Sequence, residues 1–144
     1  MAFTALIQLR WGDMDAYGHC NNAAFITYLE QARVHAFHSK PDDRSGVDLL
    51  DGGVVVVVEH TIRYKRQLPY SHVPLRVVCW TDEIKSASYT TAYKLWNDQG
   101  ESPELVATAR TILAPIDFET GRPRRLTPQE RDFLSSFTPE EPTH

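Results

Sequence analysis

From Ala23 to His38 no glycine or proline interrupts the chain, and apolar side chains cover more of the helical circumference than one buried stripe requires. Phe25, Tyr28, Leu29, Ala32 and Ala36 fall together at helical spacing, and Ile26 and Phe37 carry the apolar surface to a third side. Thr27, Gln31, His35 and His38 leave a narrow polar strip. A helix of this kind has to be wrapped by other elements. Ala24, Ala32 and Ala36 are small enough to let a sheet come close. The rest of the fold must therefore be arranged around a central, buried helix.

The period then changes from helix to strand. Phe3 to Arg10 alternate loosely, as a strand does, and Gly12, Gly18 and Asn21-Asn22 mark a turn before the helix. Beyond the Pro-, Asp- and Gly-rich stretch at 41–53, the five valines Val54 to Val58 predict a strand buried on both faces, continued by Ile62 and Tyr64 until Pro69. Leu75, Val77 and Cys79 alternate with Arg76, Val78 and Trp80. Tyr89, Thr91, Tyr93 and Leu95 do the same before the turn at 97–100, and a last strand runs from Leu105 to Ala114, where Pro115 stops it. Thr127-Pro-Gln-Glu130 signals a short final helix with Thr127 as cap, Pro128 in the first turn and Glu130 bonding back. The order is an α+β layout, one long helix across a strongly curved, mainly antiparallel five-stranded sheet. With 144 residues and no internal repeat, the chain closes one core over 1–138, and the polar, Pro-rich tail at 139–144 is expected to fray.

Composition narrows the function. No apolar run approaches the ~20 residues of a membrane-spanning helix. The N-terminus lacks the basic-then-apolar layout of a signal peptide, so a cytoplasmic protein off the membrane is expected. Two cysteines, Cys20 and Cys79, are too few for a disulfide framework or a Cys-rich zinc site. A net charge of −4 argues against broad nucleic-acid binding, although most of the 15 basic residues are arginines, which suit local recognition of phosphate or carboxylate. The expected ligand is a small molecule.

The densest chemistry lies between the first strand and the helix, in Trp11-Gly-Asp13-Met-Asp15-Ala-Tyr17-Gly18-His19-Cys-Asn21-Asn22. As a calcium loop it starts correctly with Asp13, Asp15 and Gly18, but Tyr17 replaces an oxygen ligand and Ala24 stands where the bidentate Glu belongs. As a zinc site it lacks His-x-x-x-His or Cys-x-x-Cys spacing. The third reading is an acyl-transfer site. The first N–H groups of the helix, around Asn22 and Ala23, have no intrahelical partners and carry the positive end of its dipole, so they can polarise a carbonyl. A carboxylate beside them can attack that carbonyl or activate water. The same residues can equally be read as a plain helix cap and turn.

The string Asp-x-Asp-x-x-Gly-His-x-Asn-Asn, followed by Phe25, Tyr28 and Glu30-x-Ala-Arg33, resembles the hot-dog-fold acyl-CoA thioesterases of the 4-hydroxybenzoyl-CoA thioesterase family. The resemblance runs from about residue 4 to residue 131 and includes Asp117 and Thr-Gly121-Arg-Pro before the last helix. It implies hydrolysis of an acyl-CoA thioester with Asp15 as nucleophile or general base, and no cofactor or metal. The backbone N–H near Asn22 would hold the thioester oxygen, and Tyr17 and His19 would line the reacting centre. Related acyl-thioesterases of this fold use Asn and His at those two places, and Tyr17 departs from the Asn on which an Asn-assisted mechanism depends; His19 either orients Asp15 or water, or braces the turn. Asp13 is assigned to holding the turn.

Glu30 and Arg33, three apart, are expected to form an ion pair. Two basic clusters are candidates for the CoA phosphates, Arg63-Tyr-Lys65-Arg66 and Gly121-Arg-Pro-Arg-Arg125. Trp11, Tyr17, Phe25, Val57 and Tyr64 are candidate walls for the acyl group. The competing functions are a non-catalytic acyl-CoA-binding module and a hydratase or dehydratase on the same fold; an acyl-carrier-protein thioester is an alternative substrate. A single helix and sheet leave a strand edge open, so a homodimer or homotetramer with active sites at the junction is expected.

Overall fold

The computed structural model describes residues 1–38 and 54–139; the stretch at 41–53, and the tail beyond residue 139, lie outside the described residues. Strand β1 (Phe3–Ile7) leads through one 3-10 turn at Trp11–Asp13 into helix α1 (Asn22–His38), 17 residues long. Strands β2 (Val54–Tyr64), β3 (Leu75–Ile84), β4 (Tyr89–Asn97) and β5 (Glu104–Ile116) follow, and helix α2 (Pro128–Ser135) comes last. The strands form one sheet in the order β1-β3-β4-β5-β2, every neighbouring pair antiparallel. Register shifts between Val57 and Glu59, Thr81 and Glu83, and Leu95 and Trp96 each bend the sheet, and together they curl it about α1. This is the hot-dog arrangement.

Helix α1 lies over β1 and β3, where Phe25, Tyr28, Leu29 and Ala32 pack with Ile7, Leu75, Val77 and Leu95. A second cluster, around Leu134 of α2, joins Phe37, Tyr89, Leu113 and Leu126. Helix α2 starts as its sequence predicts. Thr127 Oγ1 accepts from the Glu130 N–H at 3.1 Å, and the Glu130 carboxylate accepts from the Thr127 N–H at 2.8 Å.

Four expectations need correction. The valine run is not buried on both faces: β2 is an edge strand bonded only to β5, and Val56, Val57 and Val58 are exposed. Pro115 does not stop β5, which continues to Ile116 paired with β2. The Pro115 carbonyl accepts from the Arg124 N–H. In a strand the N and C=O of one residue face the same way, so the donor Pro115 lacks points away from β2 and no ladder bond is lost. The third side of α1 is wrapped only in part: Phe37 is buried, but Ile26 is exposed, as is Val34. Glu30 and Arg33 do not pair: Glu30 faces solvent, while Arg33 is buried and donates from Nη1 to the Tyr93 hydroxyl at 3.0 Å.

Because α1 sits toward β1 and β3, a seam stays open between it and β2. The strand runs back along the helix, from Val55 and Val57 beside Arg33 and Phe37 to Tyr64 beside Asn22.

Candidate active site

The turn that carries the two aspartates is held from both sides. Asp13, almost fully buried, accepts from the Arg10 N–H at 3.2 Å, from Arg10 Nε at 3.1 Å and Nη2 at 2.7 Å, and from the Tyr28 hydroxyl at 2.8 Å. Burial pushes the Asp13 carboxyl up, but Arg10 and Tyr28 outweigh it and hold the group below its ordinary value. Tyr28 belongs to the core face of α1, so Asp13 fastens the turn to the helix. It takes one backbone N–H; most of its hold is through side chains.

Asp15 has a different environment. One oxygen, Oδ1, accepts from the N–H of Tyr17 at 2.9 Å and of His19 at 3.4 Å, while among the described residues the other accepts nothing. The backbone closes the same loop, with the Asp15 N–H donating to the His19 carbonyl at 2.8 Å and the Gly18 N–H to the Asp15 carbonyl at 3.1 Å. Gly18 has φ of 82°, a left-handed conformation that favours glycine. His19 thus contacts Asp15 through its backbone, and among the described residues its ring makes no hydrogen bond.

At the start of α1, Asn21 is the cap. Its side-chain oxygen accepts from the Ala23 N–H at 2.9 Å and its carbonyl from the Ala24 N–H at 2.9 Å. Ala23, read from sequence as a free donor, is therefore occupied. The Asn22 N–H has no partner among the described residues. Tyr64, the last residue of β2, donates its hydroxyl to the Asn22 carbonyl at 2.9 Å and stacks edge-on against Phe25, 5.2 Å between ring centres.

These groups border one cleft of about 630 Å³, lined by Asp15, Tyr17, His19, Cys20, Asn22, Phe25 and Tyr64, with residues 65–68 forming the opposite wall. The wall is anchored, since the Lys65 and Arg66 N–H groups donate to the Val106 carbonyl and the Cys20 N–H to the Leu68 carbonyl. The structure therefore brings together Asp15, His19, Asn22, Tyr17, Lys65 and Arg66. Arg63 is not with them: neighbouring strand residues face opposite sides, and Arg63 lies on the outer face of the sheet in a groove with Trp80, Lys94 and Arg110. Trp11 is exposed beside Tyr70, and Val57 lies further along the seam. The second basic cluster stands beyond the other end of β2, where Val54 pairs with Ile116 and Ile116 with Pro123; there Arg124 is paired with the buried Glu130 at 2.8 Å. Sequence reasoning placed Tyr64 in the acyl wall but missed its bond to the helix start.

Among the described residues no three His, Cys, Asp or Glu side chains converge as a metal site, and no helix is long and apolar enough to cross a membrane. A family model described as the thioesterase-like superfamily matches residues 9–136. A thioesterase from Thermus thermophilus, solved with coenzyme A and zinc, is 25% identical with a TM-score of 0.75, over 93% of this chain and 92% of that one. The DHNA-CoA thioesterase of Staphylococcus aureus shares the fold, with a TM-score of 0.78 at 22% identity over 94% of this chain and 89% of that one. The protein YsmA of Bacillus subtilis (strain 168) is 25% identical over 134 residues, 92% of this chain and 85% of that protein.

Proposed function

This chain belongs to the thioesterase-like superfamily, and from that premise we propose that it hydrolyses acyl-CoA thioesters to a free acid and CoA. The observation that carries the reading is the pairing, in one cleft, of an aspartate oxygen and a helix N-terminal N–H, at Asp15 and Asn22, neither of which has a partner among the described residues. The thioester oxygen accepts from the Asn22 N–H, and the helix dipole favours the negative charge that builds there. The open oxygen of Asp15 then either attacks the carbonyl carbon or takes a proton from a water that does. In both routes the C–S bond breaks and CoA leaves as the thiol; the attack route adds a mixed anhydride that water must open.

The backbone bonds to Oδ1 fix the carboxylate, so a substituted His19 ring leaves Asp15 in place and changes only what faces the cleft. Lys65 and Arg66 line the wall of the cleft and suit the CoA phosphates, which stand a pantetheine arm away from the thioester. The catalytic unit is a dimer built on the β2 edge, which closes the open side of α1 and β2.

The test is thiol release over acyl-CoAs of varied length and aromaticity, with Asp15→Asn as the control. Asparagine keeps the oxygen that Tyr17 and His19 bond, so the fold should stay while turnover falls by about a thousandfold. An Asp15→Asn variant with full activity would falsify the assignment. Saturable binding without thiol release from any thioester would favour a binding module instead.

A further inference from the structure

Arg33 is buried, 8% exposed, and among the described residues no carboxylate lies within ion-pair distance of it. Its Nη1 donates to the Tyr93 hydroxyl, which donates to Thr111 Oγ1 at 3.0 Å; Thr111 Oγ1 is in turn 2.9 Å from His60 Nδ1. The guanidinium has five N–H donors, and the described residues take one. A buried cation left this open is unfavourable by itself and becomes favourable when an anion completes it. Burial and the Arg33 charge both hold His60 below its ordinary pKa, which favours the neutral ring, and a histidine in either form cannot serve as the counter-anion.

Against Arg33 lies a cavity of about 200 Å³ walled by Val34, Val57, Tyr89 and Leu113, with Glu30 on its solvent side. Apart from these two charged residues and the Tyr89 phenol, its walls are apolar. An occupant that fits is a hydrocarbon chain with a negative end. The cavity and the cleft lie along the same boundary between α1 and β2: Tyr64 bonds Asn22 at the cleft, and Val57 lines the cavity with Arg33 further along. Arg33 is eleven residues beyond Asn22 on the helix, about 16 Å along the axis.

We propose that this cavity is the distal acyl subsite and that Arg33 binds a carboxylate at the far end of the acyl chain, so that the preferred substrates are thioesters of dicarboxylic acids. The proposal rests on the thioesterase reading above. The planar guanidinium, steadied by Tyr93, can take both carboxylate oxygens at once. A carboxylate from a second copy of the chain is the competing source. Arg33 donates inward to Tyr93 on β4, but Val34 and Val57 of its cavity also belong to the face on which a second copy would dock, so the oligomeric state of the Arg33→Met protein is what separates the two sources.

The experiment compares matched pairs on the full-length protein: octanoyl- with octanedioyl-CoA and dodecanoyl- with dodecanedioyl-CoA, by thiol release. At one length the acid-ended thioester should show a KM lower by about tenfold. Arg33→Met should erase that difference and Arg33→Lys should keep part of it. If Arg33→Met does not fold, Tyr93→Phe, which withdraws the hydroxyl that steadies the guanidinium, should narrow it. Equal KM values at both lengths, or a preference that survives Arg33→Met, overturn the proposal. So does an Arg33→Met protein that falls apart into monomers when the wild type shows no end-group preference, because the carboxylate then comes from the second copy. If no acyl-CoA is hydrolysed, the thioesterase reading fails separately, and the subsite is judged by calorimetric binding of the same pairs: tighter binding of the acid-ended member supports it, and equal affinity overturns it.

Discussion

The hydroxyl of Tyr64 donates to the carbonyl of Asn22 at 2.9 Å, tying the last residue of β2 to the first residue of α1. Asn22 also lines the cleft, so the sheet edge holds the proposed oxyanion donor in position. Tyr64→Phe keeps the ring against Phe25 and removes only this bond, worth about 1 kcal/mol. The expected result is about a fivefold fall in kcat with little change in KM, whereas Tyr64→Ala, which strips a wall from the cleft, should raise KM as well. Steady-state thiol release separates the two. A fully active Tyr64→Phe enzyme would mean that Asn22 needs no tether.

The two aspartates of the turn should separate in their effects. Asp13 is bound by Arg10 and Tyr28 and makes no approach to the cleft, so Asp13→Asn should lower stability by about 2 kcal/mol, about 8 °C in Tm, with kcat altered far less than by Asp15→Asn. Asp13 and Glu130 both sit below their ordinary values of 3.8 and 4.5: burial raises each, and the bonds from Arg10 and Tyr28, or from Arg124 and Thr127, outweigh it. The unfolded chain therefore takes up these protons at higher pH than the folded one. Their stabilisation is complete above the ordinary values and drains away as pH falls through the depressed ones. Thermal melts from pH 7 to pH 2 should show Tm dropping below about pH 4.5, less steeply in Asp13→Asn and in Glu130→Gln. Parallel curves for wild type and both variants would refute this.

What could be read from the sequence was mostly local. The helix from Asn22 and the cap at Thr127 depend on residues within a turn of one another, and the Asp-x-Asp turn with its Gly18 is equally self-contained. The errors are all questions of which neighbour lies opposite. Whether Val54 to Val58 are covered depends on β2 being at the sheet edge, and Pro115 is tolerated only because its missing donor faces away from β2. Glu30 and Arg33 have the right spacing to pair, but Tyr93, sixty residues away in sequence, takes Arg33 into the interior. Arg63 was within reach of sequence reasoning: if Tyr64 walls the cleft, the residue before it must face the other way.

Beyond Tyr64 the chain leaves the strand and its alternation, and this leads to a charge-reversal prediction. Lys65 and Arg66 face the cleft, and the Arg66 pair with Glu104 at 3.3 Å is exposed on both sides and contributes little. Lys65→Glu should raise KM for an acyl-CoA by about tenfold at low salt, shrinking as ionic strength rises. The same acyl group on pantetheine, which lacks the phosphates, should be unaffected. Arg63→Glu, on the outer face, should leave both values alone. An equal effect from Arg63→Glu would place the nucleotide across the sheet.

The remaining prediction concerns the second copy. Val56, Val57 and Val58 line an edge strand whose outer backbone groups face no other strand among the described residues, and the exposed Ile26 and Val34 on α1 flank the same side. An apolar edge of this length is a template for pairing. A two-fold axis makes the patch its own complement, so the two β2 strands would run antiparallel. Antiparallel pairing sets the Val54 end of one protomer beside the Tyr64 end of the other. The cluster at Gly121–Arg125 is roughly 34 Å, ten strand residues, from its own cleft, and it would then stand next to its neighbour's. Light scattering should report twice the chain mass, and Val58→Lys should give a folded monomer with impaired turnover. Arg122→Glu should raise KM for acyl-CoA in the dimer and not for the pantetheine thioester. A wild-type monomer with full activity would remove both the interface and the reason for that second cluster.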